Sequence, residues 1–146
     1  MAQYAGCTAN VALITKTDIY VANAGDSRAV LSRGRKAVEM SYDHKPDNPG
    51  EKRRIEAAGG FVEENRVKGV LNLSRSLGDM EYKGDKALSA EKQMITAMPE
   101  VKIEKLTANT DFIILACDGI WDCLTSQECV EVCDDMLKKS KPQKNS

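Results

Sequence analysis

Short apolar, β-branched runs crowd the N-terminal part of the chain: Cys7 to Thr15, Asp18 to Asn23, Arg28 to Arg33 and Lys36 to Met40. Lys16-Thr17, Gly25-Asp26 and Gly34-Arg35 divide them, and strand-length runs separated by such turn signals predict an antiparallel meander. Pro49-Gly50-Glu51 then opens a short helix with Ile55, Ala57 and Ala58 on its apolar side, ended by Gly59-Gly60. Phe61-Val62 and Arg66-Val67 bracket a polar turn and predict a small hairpin, after which Val70 to Leu73 leads into Ser74-Arg75. Met80 to Pro99 has no period and reads as a surface flap or loop. Val101 to Leu106 alternates like a half-buried strand, with Asp111 to Cys117 expected beside it as a more continuously buried one. Thr125-Ser126-Gln127-Glu128 is a capping box before a final helix to about Lys139.

Composition narrows the classes. At 146 residues the expectation is one domain, and 42% hydrophobic content supplies one core, kept aliphatic by only 5% aromatics. A net charge of −1 argues against a nucleic-acid partner. The basic stretch Lys138 to Lys144 reads as a solvated end, with the domain over 1–139 and a polar tail over 140–146. No apolar run reaches membrane-spanning length and Met1-Ala2-Gln3-Tyr4 has no signal pattern, so no membrane partner is expected and the compartment is cytoplasm or nucleus. Five cysteines without a Cys-x-x-Cys pair, and a single histidine, argue against a zinc cluster. Cys129 and Cys133 share a helical face with Val130, Val132 and Leu137 and read as small core hydrophobes. A cysteine nucleophile that acts on a phosphate group needs an Arg six residues on to bind it, and those positions hold Leu13, Cys123, Cys129, Asp135 and Lys139, so no cysteine qualifies.

The chemistry sits in the turns. Phe112-Ile113-Ile114-Leu115 runs into Ala116-Cys117-Asp118-Gly119-Ile120-Trp121-Asp122, which places Asp118 just past a buried strand. Gly119 lets the chain turn so that Asp122 returns beside it, and paired carboxylates of this kind favour Mg²⁺ or Mn²⁺. Gly25-Asp26-Ser27-Arg28 repeats the arrangement after the Asp18 to Asn23 run. Asp26 competes for a second reading, a simple pair with Arg28. Ser27 has no neighbouring base, and His44, in Asp43-His44-Lys45-Pro46, reads as a local hydrogen-bonding residue. Arg53 and Arg54, beside Glu51 and Glu56, read as a solvated helix face.

In their order and spacing, Gly25-Asp26-Ser27-Arg28, Asp43-His44-Lys45-Pro46, Glu51 to Gly60, Ser74-Arg75-Ser76-Leu77-Gly78-Asp79 and Ala116 to Asp122 resemble the metal-dependent serine/threonine protein phosphatases of type 2C, from about Gly6 to about Val130. The resemblance implies an α+β fold, a β-sandwich of antiparallel sheets flanked by helices, with a flap subdomain over 45–99. It implies hydrolysis of phosphoserine or phosphothreonine in a phosphoprotein by water activated on two divalent ions, Mg²⁺ or Mn²⁺. Asp118 would be a direct metal ligand, Asp122 and Asp26 would serve a further, weaker metal, and Arg75 and Asp79 would organise the flap against the core. The family's N-terminal acidic pair, its Asp-Gly-His-Gly-Gly turn and its late Asp-Asn pair have no match in place; the one Asp-Asn, Asp47-Asn48, lies upstream. The chain is therefore expected to hold the middle and later part of such a domain, incomplete at both ends. Alone it is expected to be weakly active or inactive, with its three carboxylates repelling one another. The alternative expectation is a noncatalytic phosphatase-like interaction or structural component, with another protein chain covering exposed sheet.

Overall fold

The crowded N-terminal runs form strands, but not one meander. The computed structural model describes residues 5–140. Its first strands are β1 (Gly6–Cys7), β2 (Ala9–Ile14), β3 (Asp18–Ala24), β4 (Arg28–Arg33) and β5 (Lys36–Glu39). The pairs β2-β3 and β4-β5 are antiparallel hairpins, while β3 and β4 lie in different sheets. The cause is local. Gly25 adopts φ +117°, where a Cβ would run into the Thr8 side chain, so the chain turns sharply out of one sheet and into the other. Packing agrees with this: Ala29, Val30, Leu31 and Ser32 of β4 are all buried, which requires cover on both faces of its sheet.

Two late strands complete the sheets, β9 (Glu100–Lys105) beside β3 and β10 (Thr110–Ala116) beside β4. Expected as neighbours, they lie apart because each pairs with a different half of the first four strands. The sheets β2-β3-β9 and β10-β4-β5 pack face to face on Ile19, Val21, Ala29, Leu31 and Met40. The other face of β10-β4-β5 carries Val30, Phe112 and Ile114 against Trp121, Cys129 and Val130. Cys129 and Val130 belong to α3 (Ser126–Ser140) and Trp121 to the single-turn α2 (Asp118–Trp121). The capping box closes at both ends: the Thr125 N–H donates to Glu128 Oε2 at 2.8 Å and the Glu128 N–H to Thr125 Oγ1 at 3.2 Å. Val132 and Leu137, expected with the core cysteines, are exposed instead, since the helix buries a narrower stripe than the pattern suggested. The basic positions from Lys141 onward, most of the expected tail, lie outside the described residues.

Between β5 and β9 the chain builds a second small core, Ile55, Val67, Met94 and Ile95. Helix α1 (Pro49–Ala57) contributes Ile55, although Ala57 is exposed. The hairpin of β6 (Val62–Glu63) and β7 (Arg66–Val67) turns through Glu64 and Asn65 at φ 48° and 60°, the left-handed pair that suits a two-residue turn. Met80 to Pro99 is not simply a surface loop: Met94, Ile95 and Thr96 are buried, a signal that irregular backbone hides from periodicity. β8 (Leu77–Gly78) ties this unit to the core by pairing with β1. No described helix is long and apolar enough to cross a membrane.

The outer face of β2-β3-β9 is apolar and open. Val11 and Val101 both stand opposite Ala22, Leu13 and Ile103 both opposite Tyr20, and all four side chains are more than half exposed. A contiguous apolar face of this kind marks a surface that another element or chain covers. The 146-residue chain is therefore expected to bind an apolar-surface dye and to scatter light increasingly with concentration, and Leu13→Thr with Ile103→Thr to reduce both. A monomeric, cooperative transition at about 45–65 °C without dye binding would contradict this.

Candidate functional site

Antiparallel pairing brings the two acidic turns together. Ala116, the last residue of β10, stands opposite Arg28, the first of β4. Gly25-Asp26-Ser27 thus enters its strand at the sheet end where Cys117-Asp118 leaves its own. The Asp122 N–H closes on the Asp118 carbonyl at 2.7 Å, so the two acids lie one helical turn apart, Asp118 opening α2 and Asp122 just past its end. Asp118 is half-buried, Asp122 exposed and Asp26 buried.

Asp26 does not pair with Arg28. Its Oδ2 accepts from Lys45 Nζ at 2.6 Å. Burial would lower the Lys45 pKa, but the bond to Asp26 and the charges of Asp26, Asp43 and Asp122 outweigh it and raise it. Arg28 turns the other way, donating to both oxygens of Asp43 at 2.9 and 2.8 Å and to Ser126 Oγ, with its guanidinium 5.2 Å from the Trp121 ring centre. The bond to Asp43 raises its pKa further. Trp121 in turn donates from Nε1 to the Ala116 carbonyl at 2.8 Å, so Arg28 and Trp121 fix the start of one acidic turn against the end of the other. This brace was legible only as separate motifs; Asp43 and Trp121 are 78 residues apart in sequence.

A buried ion network anchors the flap. Glu51, 6% exposed, accepts from Arg75 Nη2 at 2.6 Å, Arg54 Nη1 at 2.7 Å and Ser74 Oγ at 2.7 Å. Burial alone would raise this carboxyl; the bonds from Arg75, Ser74 and Arg54 override it and hold its pKa at about 2. Arg54, expected on a solvated face, instead reaches inward to the Gln93 and Ser74 carbonyls. Arg75 also donates to the Met98 carbonyl and lies 3.8 Å from Glu100 on β9. Asp79, at φ 50°, accepts from Ser76 Oγ at 2.6 Å, and its carboxylate fills the space that a side chain at Gly6 would need. His44 is buried, and that burial, followed by the Arg75 charge, lowers its pKa. Among the described residues the Ser27 hydroxyl hydrogen-bonds the Thr8 hydroxyl, at 2.7 Å.

The donor chemistry of Asp26, Asp118 and Asp122 suits a hard dication, since all three offer only carboxylate oxygen. Among the described residues, however, no three His, Cys, Asp or Glu side chains converge as a metal-holding group. Asp26 is ion-paired with Lys45, whose charge also feels Asp122, and Asp122 is exposed. A groove of about 610 Å³ runs past Asp122, Trp121, Arg28 and Gln127, but its lining includes neither Asp26 nor Asp118.

A face-to-face antiparallel sandwich with acidic turns at one sheet end makes this an α+β domain, and known proteins specify it further. The family model of Protein phosphatase 2C matches residues 1–146. Protein phosphatase 2C 1 of Paramecium tetraurelia is 54% identical, over 94% of this chain and 49% of that protein. Probable protein phosphatase 2C 21 of Arabidopsis thaliana is 53% identical over 91% of this chain and 38% of its own length. The solved serine-threonine phosphatase 2C from Toxoplasma gondii superposes with a TM-score of 0.81 at 26% identity, over 94% of this chain and 49% of that one. This chain belongs to the protein phosphatase 2C family, and it spans half or less of the length of these relatives.

Proposed function

We propose that this chain supplies one part of the catalytic surface of a protein serine/threonine phosphatase that acts on phosphoproteins with Mg²⁺ or Mn²⁺. The observation that carries the reading is the Arg28–Ala116 register, which sets the Asp26 and Asp118 turns at one sheet end in a chain matched along its length by the family. Asp118 would hold metal directly, with Asp122 and Asp26 serving a weaker position. When bound, the divalent ions would acidify a water and offset charge on the phosphoryl oxygens. The protein's own part is placement: Arg28 and Trp121 hold the turns together, Lys45 balances the buried Asp26 charge, and the Glu51 network keeps the flap against the strand ends. Cytoplasm or nucleus is the compartment proposed with it, which suits the five unpaired cysteines.

One observation favours the second reading, a noncatalytic interaction or structural component: fewer than three ligand groups converge among the described residues. The 146-residue chain alone is accordingly expected to hydrolyse a phosphothreonine peptide far below the roughly ten turnovers per second of a typical enzyme. The longest natural chain containing these residues is expected to hydrolyse it with Mn²⁺, to stop on chelation and to recover on Mn²⁺ addition. Metal-independent hydrolysis there would overturn the phosphatase reading, and no hydrolysis at any metal concentration would favour the second one.

A further inference from the structure

Gly25 sits in a backbone conformation no other residue fits, and its peptide groups carry three hydrogen bonds. The Gly25 N–H donates to His44 Nδ1 at 3.1 Å, and the Gly25 carbonyl accepts from the His44 N–H at 3.0 Å and from Asn23 Nδ2 at 3.0 Å. Two of the three come from His44, one from its ring and one from its backbone. Because Nδ1 accepts, the ring proton lies on Nε2, which is 3.3 Å from Glu100 Oε2 but makes no hydrogen bond among the described residues. The His44 carbonyl accepts from the Ser74 N–H at 3.3 Å, while the Ser74 hydroxyl donates to Glu51. His44 therefore touches the turn that aims Asp26 on one side and the flap's ion network on the other, and it is 3% exposed.

We propose that His44 is a positioning residue: its Nδ1 and backbone clamp the Gly25 peptide and so fix the place of Asp26, whose Oδ2 is ion-paired with Lys45, for a divalent cation to use, with the flap's attachment transmitted through Ser74. The inference rests on Asp26 serving a metal, as proposed above. The two ring nitrogens can be separated by substitution. In His44→Asn the amide oxygen can stand near the Nδ1 position, keeping the acceptor for Gly25 while losing Glu100. In His44→Gln the amide reaches toward Glu100, keeping that contact while losing the Gly25 acceptor.

The test uses the longest natural chain containing these residues, with Mn²⁺ binding followed by calorimetry and Gly25 amide exchange by NMR. Outer contacts that orient a ligand typically change metal affinity 10–100-fold, so His44→Gln is expected to weaken Mn²⁺ binding about tenfold and to speed Gly25 exchange. His44→Asn is expected to stay within roughly threefold of wild type on the same scale, with exchange still slow. Equal affinities in the two variants, or weaker binding by Asn than by Gln, would overturn the clamp. Circular dichroism shows whether both variants are folded, and if His44→Gln is not, Gly25 exchange and Mn²⁺ affinity in His44→Asn alone decide: fast exchange or a tenfold loss there overturns the inference. Asp26→Asn separates the two levels. If it leaves Mn²⁺ affinity unchanged, Asp26 is not a ligand and the reading beneath the inference fails; if it weakens binding while His44→Gln does not, only the clamp fails.

Discussion

Glu51→Leu is expected to destabilise the fold by roughly 3–5 kcal/mol, the cost of removing one partner from a buried charge group and leaving the others unpaired. Arg54 and Arg75 have side chains only 13% exposed and point at the same carboxylate, so neither can recover full hydration when it is lost. The folded pKa of Glu51, about 2, is depressed from an ordinary 4.5. A depressed acid contributes stability that is present above its unfolded pKa and lost as pH falls through the folded one, here between about 4.5 and 2. A shift of that size corresponds to roughly 3 kcal/mol, similar to the substitution estimate. Urea unfolding of wild type and Glu51→Gln should therefore differ most above pH 4.5 and converge as pH approaches 2. A difference that does not change with pH would show that Glu51 contributes by packing and not by charge.

Much of this was legible locally. Arg28 to Arg33 forms a strand with those bounds, the Thr125–Glu128 box caps its helix, and the acids stand at strand ends as their motifs required. Sheet membership was not legible, because alternation shows which face of a strand is buried and not which strand lies beside it. The crossing at Gly25 depends on Thr8 underneath it, seventeen residues away. Arg54 looked solvated for the same reason: Glu51 three residues back explains a surface pair, while the Ser74 and Gln93 carbonyls that draw it inward come from distant chain. Asp26 had a sequence neighbour of opposite charge in Arg28, yet Asp43 and Trp121 claimed that guanidinium and Lys45 took its place. Local charge pairing is a weak guide wherever a bidentate partner and an aromatic face compete for the same arginine.

The largest effect on function is expected at Asp118. It sits at the end of β10, half-buried and one turn from Asp122, and Asp118→Asn keeps its shape while removing the charge a hard dication requires. Loss of a ligand worth several kcal/mol of charge stabilisation corresponds to about a thousandfold or more in turnover. Asp79→Asn, which loosens the Ser76 contact and the packing on Gly6 far along the chain, should cost much less turnover and more stability. The most direct measurement is Mn²⁺-dependent hydrolysis of a phosphothreonine peptide by the longest natural chain containing these residues, as wild type, Asp118→Asn and Asp79→Asn, with circular dichroism on each. The account predicts a folded Asp118→Asn protein with turnover reduced about a thousandfold and an Asp79→Asn protein that retains most of it. Equal losses at the two positions with unchanged circular dichroism, or full Mn²⁺-dependent turnover in Asp118→Asn, would contradict it.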